Sequence, residues 1–427
     1  MEIDRFRHRS ETSVVRSIEI NTMLISIAAP GLSVTRESTG SASVQTTAGI
    51  PQEGPMKIPL AKPDINDADR AAVQSVLDDA NGRLALGPHL AEFEAALADA
   101  SDRAYAAAVN SGTSALHLII RSLGIGPGDE VITTPYSFIA STNCILMEGA
   151  TPVFVDIDPV TLCIDPDRAA AAVTPRTKAI LGVDVFGHPA DWPALAAVAD
   201  AHGVALIEDS AEALGSRLDG RACGSFGRAG IFGFYPNKQI TTGEGGAVVT
   251  DDAALAALCR SMADQGRGDG GWLNHIRLGY NYRLDEMSAA LGVSQLRRLD
   301  ALVGARSRVA GRYLDALSGW SDVVCPSIAP DVDMSWFVFV IQLSDAYSRD
   351  DRDRVLRALR ADGIGCRDYF QPIHLQPFIQ EALGTRRGDF PITESAGDRS
   401  IALPFFPQLT AGEVGIVVES LLSALQT

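Results

Sequence analysis

A lysine stands at position 238 between an aromatic run, Phe232-Gly233-Phe234-Tyr235, and a turn built from Gly243, Gly245 and Gly246. An amine in such a setting is partly desolvated, so it can be neutral and attack a carbonyl. Upstream, the apolar run Val204-Ala205-Leu206-Ile207 ends in Glu208-Asp209, and Asn110-Ser111-Gly112-Thr113-Ser114 follows another apolar run. The chain thus offers a nucleophilic amine, a carboxylate to face a protonated ring nitrogen, and backbone donors for a phosphate. Together they suggest a Schiff base between Lys238 and pyridoxal phosphate.

Each member also has a plainer role. Gly112, Thr113 and Ser114 open a helix, where backbone N–H groups and the positive end of the helix dipole hold a phosphate; the same segment makes an ordinary strand-to-helix turn with Ser111 or Thr113 as cap. Asp209 sits at the carboxyl end of a strand, where ligands bind in parallel sheets, or caps the helical turn from Ser210 to Leu214. Phe138 is the candidate to stack on a flat ring, with Tyr136 the other; core packing serves either aromatic as well.

The elements that must position these residues read as an α/β chain. Asn66 caps a helix expected through Ala80, and His89 to Ala100 is amphipathic. Short apolar strands are expected at Tyr105 to Val109, Val131 to Thr134, Pro152 to Val155, Lys178 to Val183, Val204 to Ile207, Gly230 to Phe234 and Gly246 to Val249. Their continuous apolar character fits a mixed, mostly parallel sheet covered by helices on both faces. A long helical pattern from Asp285 to about Leu317 leads to a strand at Trp336 to Leu343, a helix at Arg349 to Ala361 and a closing helix at Ala411 to Leu425. The expected division is a large cofactor-binding domain over 57–300 and a small α+β domain over 301–427. Residues 1–56 read as a mobile extension, with Met56 a candidate start.

With 427 residues and a formal net charge of -17, the chain has the composition of a soluble globular protein whose surface repels nucleic acid. An anionic small molecule needs a local cluster of basic groups against that field. Cys144, Cys163, Cys223, Cys259, Cys325 and Cys366 are too widely spaced for a zinc or redox pair, so no metal is expected and the cytoplasm is the expected setting. The longest apolar stretch near the start, Met23 to Ala29, is too short for a membrane span, and the acidic residues before it suit a signal peptide poorly.

The ordered set of motifs resembles the DegT/StrS family of sugar aminotransferases, which are fold-type I pyridoxal-phosphate enzymes. The resemblance runs from Lys57 to the C-terminus and includes Gly126-Pro127-Gly128-Asp129-Glu130-Val131, Phe186-Gly187-His188-Pro189, Gly279-Tyr280-Asn281-Tyr282-Arg283 and Leu403-Pro404-Phe405-Phe406-Pro407. It implies that Lys238 carries the cofactor, Asp209 pairs with its ring nitrogen, and Gly112, Thr113 and Ser114 meet its phosphate. It further implies a homodimer with shared sites, in which Asn281 reaches the partner's cofactor phosphate, and His374 as a candidate substrate contact. Two departures stand out. Gly233 replaces a phosphate-binding serine five residues before the lysine, and Glu212 replaces the glutamine or histidine three residues after the aspartate, near the cofactor's phenolic oxygen. A carboxylate there must be protonated or paired.

The implied reaction moves an amino group from L-glutamate to a nucleotide-linked keto-sugar, a 4-keto-6-deoxyhexose as in perosamine-type synthases. Arg267 and Arg277, in or beside a Gly-rich loop, are candidates for the nucleotide diphosphate, or members of a solvated loop. The alternatives are amination at C-3 or of a cyclitol, and a non-catalytic regulatory protein that binds the cofactor. A nicotinamide dehydrogenase lacks the G-x-G-x-x-G signature after the first strand.

Overall fold

The computed structural model describes residues 57–426; the expected extension over 1–56 lies outside them. Helix α1 (Asp67–Leu77) begins at a reciprocal cap in which Asn66 and Asp69 each accept the other's backbone N–H. Helix α2 (Pro88–Ala100) leads into β1 (Tyr105–Val109). The chain then alternates through α3 (Gly112–Ser122), β2 (Glu130–Thr133), α4 (Ala140–Met147), β3 (Thr151–Phe154), α5 (Pro166–Ala171), β4 (Thr177–Val183), α6 (Trp192–His202) and β5 (Ala205–Asp209). A short hairpin, β6 (Arg217–Leu218) and β7 (Arg221–Ala222), precedes β8 (Ala229–Gly233) and β9 (Gly246–Thr250), with Lys238 in the loop between the last two.

These strands make a seven-stranded sheet in the order β1-β9-β8-β5-β4-β2-β3. Pairings from β3 through β8 are parallel, and β9 runs antiparallel to both its neighbours. Its central residues, such as Val131, Ile132, Ile180 and Leu181, are fully buried, as expected for a sheet covered on both faces.

After α7 (Ala253–Ala263), the pattern expected as one long helix is two, α8 (Glu286–Leu296) and α9 (Leu299–Leu317). The break falls where Arg298 leaves helical geometry (φ -113°) and its guanidinium ties to Asp64 and Asp69 at 3.0 and 2.8 Å. Strands β10 (Val323–Val324), β11 (Val332–Asp333) and β12 (Phe339–Leu343), helices α10 (Arg349–Ala361), α11 (Pro377–Leu383) and α12 (Pro391–Arg399), strand β13 (Ser400–Leu403) and helix α13 (Ala411–Leu425) complete the chain. The expected strand at Trp336 starts only at Phe339, because Trp336 has a positive φ of 59°. A second sheet, β10-β12-β13, packs Phe339 and Ile341 with Tyr313, Leu356 and Val417 in a separate core. Ile58 belongs to that core, and Phe405 donates to the Leu60 carbonyl at 2.8 Å.

The sheet's topology sets up the site. The carboxyl ends of β1, β5 and β8 deliver the start of α3, Asp209 and the Lys238 loop to one edge, where a parallel sheet leaves a crevice.

Candidate active site

A cavity of about 520 Å³ opens at that edge, lined among others by Ser111, Gly112, Thr113, Phe138, Asp209, Glu212, Gly233 and Lys238. Asp209, at the end of β5, is buried. Its carboxylate accepts from the Ser141 hydroxyl at 2.6 Å and from the Ala211 N–H at 3.2 Å. Burial raises its pKa, while Ser141, the Ala211 N–H and the Lys238 charge act against that rise. Ser141, on α4, is not legible in the sequence, because a serine inside a helix carries no signal of its own.

Lys238 Nζ lies 3.4 Å from one oxygen of Glu212 and 3.9 Å from the centre of the Phe337 ring. The second Glu212 oxygen accepts from the Phe186 N–H at 2.9 Å. Burial again raises this carboxyl, opposed first by the Lys238 charge. The departure at Glu212 therefore has a local resolution: the carboxylate is paired with the lysine and a backbone donor.

At the start of α3 the Ser111 side chain caps the helix by accepting from the Ser114 N–H at 3.1 Å. The Ser114 hydroxyl donates to Asn110 at 2.7 Å. Ser114 thus turns inward and does not line the cavity, whereas Gly112 and Thr113 do. Gly112 and Gly233 face each other closely, since a Cβ on Gly112 would sit 3.6 Å from the Gly233 Cα. Phe138 is 61% exposed at the cavity wall, and Tyr136 is fully buried with its hydroxyl on the Tyr369 carbonyl and Ser400.

Several candidates lie elsewhere. His374 is fully buried and pairs with Glu394 at 2.9 Å, off the cavity. Arg267 binds Asp264 at 2.8 Å, Arg277 binds the Ser261 hydroxyl, and neither lines the cavity. Asn281 is exposed, and its carbonyl accepts from Asn110. In their place the cavity gathers Tyr235, Asn237, Glu244, Phe337, Tyr369 and Phe370, contributed by loops whose approach depends on the tertiary fold.

The donor set fits pyridoxal phosphate. Two buried carboxylates, Asp209 and Glu212, share one ammonium, and Lys238 is the only cation among the described residues that line the cavity. The remaining negative charge suits a protonated ring nitrogen. Two glycine backbones and a helix start suit a phosphate.

Residues 63–422 match the DegT/DnrJ/EryC1/StrS aminotransferase family. The chain belongs to this family. It is 37% identical over 374 residues to the spore coat polysaccharide biosynthesis protein SpsC of Bacillus subtilis, covering 85% of this chain and 96% of SpsC. Among solved structures it is similar to DesV of S. venezuelae in complex with a ketimine intermediate, with 38% identity, a TM-score of 0.78, and 84% and 94% of the two chains covered. Spr1654 of Streptococcus pneumoniae in its PLP form shares 28% identity, a TM-score of 0.81, and 86% and 98% coverage; it has also been solved in a PMP form. Members of the family are fold-type I aminotransferases, and the cofactor indicated for this one is pyridoxal 5′-phosphate. No helix among the described residues is long and apolar enough to cross a membrane, and no group of His, Cys, Asp and Glu among them could hold a metal.

Proposed function

We propose that the chain transfers an amino group from L-glutamate to a nucleotide-linked keto-sugar, a 4-keto-6-deoxyhexose being the favoured acceptor. The observation that carries the reading is the placement of Lys238 and Asp209 on the walls of one cavity, with Glu212 against the lysine. SpsC, named for polysaccharide biosynthesis, supports a sugar substrate.

When bound, pyridoxal phosphate supplies an aldehyde that captures amines and a ring that accepts the electrons left when a Cα–H bond breaks. The chain's own groups do the rest. Lys238 Nζ would tether the cofactor and, once displaced, would carry the proton from the donor's Cα to the cofactor's former aldehyde carbon, then from that carbon to the acceptor's former carbonyl carbon in the second half. Asp209, steadied by Ser141, keeps a proton on the ring nitrogen. Gly112, Thr113 and Gly233 hold the phosphate, Phe138 covers the ring, and Glu212 receives the lysine's charge. Donor and acceptor enter in turn, a scheme supported by the two cofactor forms in which Spr1654 was solved.

The reading extends to a cytoplasmic homodimer. Asn281 is exposed and off its own cavity, and nearby Trp272, Leu273, Ile276 and Leu278 are exposed apolar side chains. A second copy covering this face would bring Asn281, Arg267 and Arg277 toward its partner's cavity, where lining cations are otherwise scarce.

The test is borohydride reduction of the holoprotein followed by peptide mapping, alongside turnover with glutamate and a panel of nucleotide keto-sugars. Lysine otherwise occurs only at Lys57, Lys62 and Lys178, so the assignment is unambiguous. The expected outcome is a pyridoxyl group on Lys238, with 2-oxoglutarate and aminated sugar formed together. A label on another lysine, or 2-oxoglutarate without sugar product across the panel, contradicts the proposal.

A further inference from the structure

A buried arginine behind the lysine has no part in the scheme above. Arg306, on α9, is 2% exposed, and burial pulls its pKa down to about 10. Its guanidinium donates to four backbone carbonyls rather than to a carboxylate. Two belong to the lysine loop, Asn237 at 3.2 Å and Lys238 at 2.6 Å. The other two belong to the segment before β12, Trp336 at 3.2 Å and Phe337 at 3.1 Å.

Those two segments carry the amine and the aromatic face against it. The contacts close a circuit. Phe337 donates its N–H to the Phe186 carbonyl at 3.3 Å, Phe186 donates its N–H to Glu212, and Glu212 meets Lys238 Nζ. Gln239 adds a brace, donating to Ser335 at 2.8 Å and also to the Glu212 carbonyl. A buried cation is costly to desolvate. Only a planar fork with several donors can bind four carbonyls from two segments at once.

We infer that Arg306 is a positioning residue that fixes the main chain of Lys238 in register with Phe337 and Glu212, so that the amine returns to one place each time its side chain is released. This rests on the reading that Lys238 carries the cofactor, and is tested only on protein in which borohydride places the label there. A failure of that labelling defeats the functional reading and this inference with it, whereas a correct label with an unmoved midpoint and kcat in the Arg306 variant defeats this inference alone.

The experiment compares Arg306→Lys with the wild-type holoprotein by the pH midpoint of the absorbance change of the lysine-bound cofactor, by kcat and KM, and by thermal unfolding. Lysine keeps the charge but loses the fork. With the charge constant, displaced Phe337 and Glu212 hold a protonated nitrogen less well, and the midpoint should fall by about half to one pH unit. kcat should fall about a hundredfold, the scale of a roughly 1 Å misplacement, with KM for glutamate within about threefold. Phe337→Leu, which leaves Arg306 in place, should move the midpoint the same way. The double variant should be no worse in kcat than the poorer single variant by more than about twofold, because one unit is being broken twice. A lowered melting temperature with an unchanged midpoint and kcat would make Arg306 a structural residue only. Multiplying effects in the double variant would overturn the circuit, and if Arg306→Lys does not fold, an unmoved midpoint in Phe337→Leu overturns it by itself.

Discussion

At the scale of single residues, the site is a contest between burial and pairing. Asp209 and Glu212 are both pushed toward the neutral form by burial and drawn back by donors and the Lys238 charge. Asp209→Asn removes the charge while keeping the shape, and kcat should fall about a hundredfold or more with little loss of melting temperature; normal kinetics would reduce Asp209 to the cap of a turn. Ser141→Ala, which strips one hydrogen bond from that carboxylate, should cost about tenfold in kcat. Much of the cavity's lining is legible by residue type: the candidates Lys238, Asp209, Gly112, Thr113, Phe138, Glu212 and Gly233 all reach it. Ser141, Asn237 and Phe337 are not, since nothing in a lone serine or phenylalanine tells which distant loop it will face. Ser114 illustrates the converse. Its type suited a phosphate, yet its hydroxyl is taken by Asn110 and its N–H by Ser111, a local competition that spacing does not reveal.

At the scale of elements, caps and close approaches decide where the chain turns. The start of α3 abuts the start of β9 so tightly that a methyl group on Gly246 would run into the Ser111 carbonyl carbon and the Gly112 nitrogen. Gly246→Ala should therefore destabilise by about 1–3 kcal/mol through overpacking and weaken cofactor retention. Gly415→Ala, in the exposed body of α13 with nothing near the added carbon, should stabilise by about 0.5–1 kcal/mol. Denaturant melts read both, and a Gly246→Ala protein with full stability and full cofactor affinity would show that the turn is free to yield. Periodicity located the seven strands of the large sheet and helices α2, α10 and α13 to within a residue or two because their apolar residues repeat at the period of the element. It merged α8 with α9, where a pair of arginine-to-aspartate contacts with α1 and the segment before it overrides continuous helical propensity. It also missed β6, β7, β10 and β11, which are too brief to display a period, and the four-residue β13.

At the scale of the whole molecule, a parallel sheet buried on both faces traps ionisable groups whose state responds to pH. Asp184 lies wholly inside, accepting from the Ala190 N–H, the Trp192 indole and the Ser210 hydroxyl, and burial still lifts its pKa from 3.8 to about 6. The folded protein therefore holds this proton more tightly than the unfolded chain. The stability it contributes is full below about pH 4 and is lost as pH rises through about 6. Urea melts between those limits should show a decline that Asp184→Asn flattens; an identical slope in the variant would place the titration elsewhere. The parallel body of the sheet could be read from the sequence as runs of apolar residues, but the insertion of β9 between β1 and β8 could not, since pairing across more than a hundred residues leaves no local mark. That insertion sets an order of events during synthesis. β1 emerges from the ribosome early, yet among the described residues its only partner in the sheet is β9, which is translated after every other described strand of that sheet. Until then the cavity-lining turn at Gly112 has no paired strand to anchor it, so a truncated nascent chain ending before Gly246 would carry Lys238 and still lack a formed cavity wall.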